Sequence, residues 1–220
     1  IAAERRVGPR LVIAGPTVDG PRGYKSAARL FVATAAEGRQ AVATVRERGG
    51  DFVKVHDWIQ PEAYAAVIAA ARESGLRVAG HTPAAIPARD VAAAGQVSIE
   101  HLGSLLGGFV LNASSREAEL RRELLAHMDD AVRAGSEDAF WTWAKAPART
   151  KALLDSWDPA KARELIAVFK KNGTWHCPTL TVLSPTVRPR GENERRFVFA
   201  STAAACAKLT PPIGSPEVAR

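Results

Sequence analysis

DFVKVHDWIQPEAYAAVIAAARESGLRVAGHTPAAIPARDVAAAGQVSIEHL, residues 51–102, is the stretch that decides the fold. Three short apolar runs stand in it: DFVKVHD (51–57), LRVAGH (76–81) and QVSIEHL (96–102). Each is too short for a core helix and rich enough in Val and Ile to read as a buried strand. Between the first two lies the Ala-rich stretch 61–74, with Pro61 at its start and Gly75 just past its end, the asymmetry that helix ends prefer. Between the second and third, residues 87–94 form a short helical stretch stopped by Gly95. Strand, helix, strand, helix, strand with short connections predicts a parallel sheet covered by helices.

The same rhythm extends outward. RLVIAG (10–15) reads as an earlier strand, with residues 15–17 (Gly-Pro-Thr) as a strand-end turn lining a pocket, and residues 37–48 read as a helix stopped by Gly49 and Gly50. Residues 114–156 then read as a helical insertion carrying Trp141 and Trp143, either a lid over an active site or a thicker outer layer. Asp158 and Pro159 open a helix over 160–171 that ends at Gly173. TWHCPTLTVL (174–183) reads as a fifth strand. The expected class is α/β, a partial (β/α)8 TIM-type barrel over residues 1–183 with its insertion at 114–156. The doubly wound sheet is the alternative. Residues 184–220 are a Pro- and Gly-rich tail with one helix near 194–208. A complete barrel takes about 250 residues, so elements are expected to be missing at both ends.

Composition narrows the function classes. The chain has 220 residues, 46% hydrophobic and 24% charged, the balance of a globular domain. No run is apolar for long enough to span a membrane as a helix, and the first ten residues lack the apolar centre of a signal peptide. The chain begins with Ile1, so sequence upstream is expected, and the compartment stays open between cytoplasm and periplasm. The formal net charge of +7 is scattered along helices, as at Arg46 and Arg48 or Lys170 and Lys171, without the basic and aromatic clustering that nucleic-acid binding asks for. Cys177 and Cys206 form no CxxC pair and read as inert small apolar residues. Oligomeric state leaves no trace, and a homo-oligomer stays open.

Chemistry gathers at strand ends. In parallel α/β folds, reactive groups collect at the carboxyl ends of strands. Lys54 lies in the strand DFVKVHD, His81 ends LRVAGH and His101 ends QVSIEH. Burying an unpaired ammonium is costly, so a lysine there needs a compensating role. One role fits all three residues: a neutral lysine amine adds carbon dioxide, and the resulting carbamate is an anionic oxygen ligand. Burial in general favours the neutral amine that this addition requires. Imidazole nitrogen with carboxylate-like oxygen suits Zn²⁺, Mn²⁺, Co²⁺ or Ni²⁺.

The segments GPRLVIAGPTVDGPRG, DFVKV, LRVAGHTP and VSIEHLG, in this order over roughly residues 8–183, resemble strands three to six of the amidohydrolase superfamily. The branch is the imidazolonepropionase-like and prolidase-like hydrolases. The resemblance implies that Lys54 is carboxylated and bridges two divalent metal ions, zinc first, and that His81 and His101 bind the second. It implies a metal-activated water that cleaves a C–N bond in a small amide, cyclic amide or dipeptide. The metal would lower the water's pKa to about 7. The sequence departs from the family in two places. It has no His-x-His motif, and no segment reads as the eighth strand with its general-base Asp. The catalytic base is therefore unknown in this chain, which is expected to be inactive on its own.

Other residues have blander readings. His56 shares a strand face with Lys54 and is a candidate substrate-side group, as is His176 in the fifth strand. Glu100, next to His101, should face the helices as an ion pair or cap. His127 reads as a surface residue. Two other functions compete: a metal-free lyase in which Lys54 forms a Schiff base, and a non-catalytic barrel relative used for binding.

Overall fold

A computed structural model describes residues 8–23, 26–103, 108–136 and 138–179. The chain divides into two compact units, Ile1–Cys177 and Pro178–Arg220, and every element named here belongs to the first. The elements run β1 (Thr17–Asp19), β2 (Arg29–Phe31), α1 (Ala35–Glu47), β3 (Phe52–Val55), α2 (Pro61–Glu73), β4 (Arg77–Gly80), α3 (Ala88–Ala94), β5 (Ser98–Glu100), a 3-10 turn (His101–Gly103), α4 (Gly108–Asn112), α5 (Glu117–Ala134), α6 (Asp138–Ala144), α7 (Pro147–Asp155), α8 (Pro159–Asn172) and β6 (Trp175–Cys177). The tail helix expected near 194–208 and the end of the fifth expected strand, 180–183, lie outside the described residues.

All strand pairs are parallel, in the order β2-β1-β3-β4-β5-β6. The α/β class and parallel sheet that the alternation implied are present. The sheet is open among the described residues and neither requires nor forbids an eight-stranded barrel. One expected strand is displaced. In RLVIAG, Leu11, Val12 and Ile13 are 60%, 66% and 48% exposed. Only Ala14 bridges to Phe52, and Ile13 is tied to Asp51 by two hydrogen bonds of 2.8 Å. The strand proper starts after Pro16, at Thr17, where Val18 is fully buried. A three-residue TVD strand with one buried apolar residue gives almost no periodic signal, and the same holds for the edge strand β2 (RLF).

The helices form where local chemistry permits. Thr34 and Glu37 close a capping box at the start of α1: the Glu37 N–H donates to Thr34 Oγ1 at 3.2 Å, and the Thr34 N–H to Glu37 Oε2 at 3.0 Å. Pro61 opens α2, and Asp158 caps α8 by accepting from the Ala160 N–H at 2.8 Å. One face of the sheet packs on these helices. Val18, Val53, Val55, Val78 and Ile99 meet Val42, Val45, Val67, Val91, Leu165 and Phe169 in one core. Each such side chain contributes about 1.5–3 kcal/mol by leaving water.

The insertion builds a second core. Leu120, Leu124, Met128 and Ala131 recur at helical spacing along α5 and pack with Phe140, Leu153 and Leu111. Trp58 and Ala84, from the loops after β3 and β4, complete this cluster. Arg121 on α5 donates to the carbonyl oxygen of Ala84 at 2.7 Å, and Arg22, after β1, pairs with Asp129. The insertion thus packs on the loops that leave the carboxyl ends of β1, β3 and β4. No described helix is long and apolar enough to cross a membrane.

Candidate metal centre

Strand register decides which residues meet. The rows Lys54–Ala79–Ser98–Trp175 and Val18–Val55–Gly80–Ile99–His176 run across paired strands. Side chains of adjacent rows point to opposite faces. The second row is the helix-covered one, since Val18, Val55 and Ile99 are fully buried in the core. Lys54 therefore faces away from the helices, and Trp175 in its row is 78% exposed. One step further towards the carboxyl ends, the register sets Asp19, His56, His81 and Glu100 side by side on the Lys54 face.

The contacts agree with this row. Lys54 Nζ pairs with Glu100 Oε2 at 2.7 Å. His56 and His81 stack with centroids 4.0 Å apart, and the His81 and His101 rings meet edge to face at 4.9 Å. Lys54, His81 and His101 thus converge as expected, and His56 joins them on the same face. Glu100 corrects the expectation that it faces the helices. Strand alternation ends at Glu100, where the chain leaves the strand for a 3-10 turn. His101 has a left-handed backbone, φ 54°, and so does Leu102, φ 56°. That conformation costs of order 1–3 kcal/mol and is concentrated at functional sites.

His176 does not join this group. It occupies the helix-facing row, its ring 4.4 Å from Phe169 and 6.2 Å from Phe109. Burial there holds its pKa below the usual imidazole value. His127 stacks on Trp143 at 4.0 Å, away from the sheet. Cys177 is an exposed free thiol, and Cys206 lies outside the described residues.

Four polar residues complete the site and were not singled out as site groups from sequence: Asp19, Arg29, Asp57 and Gln96. Asp19 is fully buried at the end of β1. Its Oδ1 accepts from the N–H groups of Gly20 at 2.9 Å and Trp58 at 3.0 Å, and its Oδ2 accepts from Arg29. A Cβ on Gly23 would sit 2.1 Å from that same Oδ2, so only glycine fits there. Burial, partly offset by the Trp58 N–H and Arg29, raises the Asp19 pKa to about 6. Asp57 is buried with Oδ2 3.0 Å from His81 Nδ1, and its Oδ1 makes no hydrogen bond. Gln96, fully buried, donates to the carbonyl oxygens of Gly80, His81 and Ser98 and accepts from the Tyr64 hydroxyl, pinning the end of β4 to β5. Gly80 has φ 125°, and a Cβ there would meet the Val55 carbonyl at 2.2 Å. The only advance signals were DG at 19–20 and the HD pair at 56–57, and both also read as ordinary turn residues.

Two trios offer ligand atoms within 4.8 Å of one another: His56, Asp57 and His81; and His81, Glu100 and His101. Tautomer chemistry separates them. Arg29 Nη2 lies 3.3 Å from His56 Nε2. A guanidinium only donates, so that nitrogen accepts and the proton sits on Nδ1. Nδ1 then faces Asp19 and Asp57 at 3.4 and 3.6 Å as an N–H, with no lone pair for a cation. Burial also drives the His56 pKa down to about 3, so the ring stays neutral. The second trio, with Lys54 beside it, brings together two imidazoles and a carboxylate, a donor set that fits a borderline divalent cation. Burial and neighbouring His81 lower the His101 pKa, which favours the neutral ligand form.

No family model matches the chain, and no curated protein matches it. Among solved structures, it is similar to the bottromycin amidohydrolase AH at 19% identity and a TM-score of 0.45, over 97% of this chain and 54% of that one. It is also similar to a Xaa-Pro dipeptidase crystallised with methionine in its active site, at 19% identity and a TM-score of 0.40, over 80% and 49% of the two chains. The chain spans about half the length of these solved structures. At such scores the likeness decides neither fold nor activity.

Proposed function

We propose that this chain contributes part of the active centre of a metal-dependent hydrolase that cleaves a C–N bond in a small amide, cyclic amide or dipeptide. The observation that carries the proposal is the convergence of Lys54, His81, Glu100 and His101 on the face of the sheet opposite the main helix-packed core. His81 and His101 would hold a zinc ion, or Mn²⁺, Co²⁺ or Ni²⁺ in its place. Lys54, as its carbamate, would bridge to a second ion. Bound metal supplies an acidified water and polarises the scissile carbonyl.

The chain's own residues prepare that site. Glu100 pairs with Lys54 at 2.7 Å beside His81 and His101. Carboxylation of Lys54 would exchange this ion pair for two adjacent anions, which require cations between them. Carbamate and metal are therefore expected to arrive together. Gln96 and Gly80 fix the backbone on which His81 turns into the site.

Zinc titration of the purified 220-residue chain, followed by calorimetry in bicarbonate buffer, tests the proposal. The expected outcome is stoichiometric binding that is lost in the double variant His81→Ala/His101→Ala, with no amide turnover by the chain alone. A chain that folds yet takes up no zinc at millimolar concentration sinks it.

A further inference from the structure

We infer that Asp57 is a positioning residue, which holds His81 as its Nδ1–H tautomer and so leaves Nε2 as the ring's one lone pair for a cation. This rests on the hydrolase proposal for the identity of the ligand, but not for the tautomer itself. A carboxylate oxygen accepts hydrogen bonds. A ring nitrogen 3.0 Å from Asp57 Oδ2 must therefore carry the hydrogen, and in a neutral imidazole the other nitrogen is then unprotonated. The pair is buried, with side chains 7% and 6% exposed, so water does not compete for the bond.

The ring is also fixed in place. The His81 N–H donates to the Val55 carbonyl at 3.0 Å, and its own carbonyl accepts from Gln96 at 3.1 Å. His56 stacks on one face of the ring. Asp57 itself is held at its backbone, where its carbonyl accepts from the Ala84 N–H at 2.9 Å. His56 offers no equivalent hand-over, because Arg29 occupies its Nε2. A carboxylate behind a ligating histidine sets both its tautomer and its orientation, and losing it costs about 10–100-fold in metal affinity.

Nitrogen-15 NMR of the histidine-labelled chain at about pH 8, free of metal, reads the tautomer directly. In the wild type, His81 should show a protonated Nδ1 and an unprotonated Nε2. Asp57→Ala should move the population towards Nε2–H and weaken zinc binding by about 10–100-fold. Asp57→Asn keeps an amide oxygen that can accept, and it should fall between the two. A wild-type His81 protonated on Nε2, or variants with an unchanged tautomer, overturns the inference whether or not zinc binds. Failure of zinc to bind a wild type with the expected tautomer overturns the hydrolase proposal instead and leaves the role of Asp57 in fixing His81 standing.

Discussion

Asp19, His56, His81 and Glu100 stand in one row across four neighbouring strands, each fixed by a polar partner at a defined atom. Helices α5 to α7 are assembled differently: Leu120, Leu124, Met128, Phe140 and Leu153 fill a cluster whose members only need the right size and face. The two regions touch through Trp58, whose ring packs on Phe140 at 5.6 Å while its N–H holds Asp19. The difference teaches where each region is vulnerable. An apolar cluster loses stability in proportion to the volume removed and tolerates conservative swaps. A buried polar row fails when one partner is removed, even at constant volume, because the other is left unpaired.

The largest effect should therefore come from emptying the insertion. Phe140→Ala is expected to cost about 3–5 kcal/mol in urea unfolding, while the His81 tautomer stays as in the wild type. A tautomer that changes with it would mean the regions are not separable. Arg29→Met should come next, at about 3 kcal/mol near pH 7, since it strands the Asp19 carboxylate in a fully buried position. The same variant should recover part of that loss on acidification, starting above pH 6, because removing Arg29 takes away one of the groups that hold the Asp19 pKa down. Equal costs at pH 5 and pH 7 would show that Arg29 acts by packing alone.

The contrast also explains what the sequence disclosed. Strands β3, β4 and β5 were legible because Val53, Val55, Val78 and Ile99 are buried in short runs punctuated by Pro and Gly. The insertion was legible because its apolar residues follow the helical period. Lys54, His81 and His101 stood out because ionisable groups are anomalous at strand ends. The rest depended on information that a linear pattern lacks. Asp19 sits in a three-residue strand, and its partner Arg29 lies ten residues later on a strand of equal length. Asp57 reaches His81 only because the loop after β3 turns back towards β4. Glu100 lies on the face opposite to the one that alternation through His101 predicts, because the left-handed backbone at His101 breaks that alternation.

Acid titration of the metal-free chain sharpens the same contrast with a smaller effect, because two members of the row oppose each other. The Asp19 pKa is raised from 3.8 to about 6, so its contribution to stability is complete below pH 3.8 and is lost as pH rises through 6. The His56 pKa is lowered from 6.5 to about 3, so its contribution is complete above pH 6.5 and is lost as pH falls towards 3. The His56 contribution falls slightly more than the Asp19 contribution rises, so the wild type should lose stability on acidification between pH 6 and 4 by only about 0.5 kcal/mol net. His56→Gln should reverse the slope of the urea midpoint in that window, and Asp19→Asn should steepen it. Parallel slopes in all three proteins would remove the row from any account of acid stability.

The smallest effect belongs to the insertion's outer surface. Lys151 and Asp155 form an i,i+4 pair on α7, with side chains 74% and 61% exposed. Water and salt screen such a pair, and holding two long side chains in register costs entropy that offsets most of the attraction. Lys151→Ala should therefore shift the unfolding free energy by less than about 0.5 kcal/mol, and Ala's better helix propensity acts in the opposite direction to the lost pair. A cost above about 1 kcal/mol would mean that this face of α7 is not solvated in the protein as it works. Burial under a partner or under further chain would then be the cause to pursue, because Coulomb attraction across an open surface cannot supply that much.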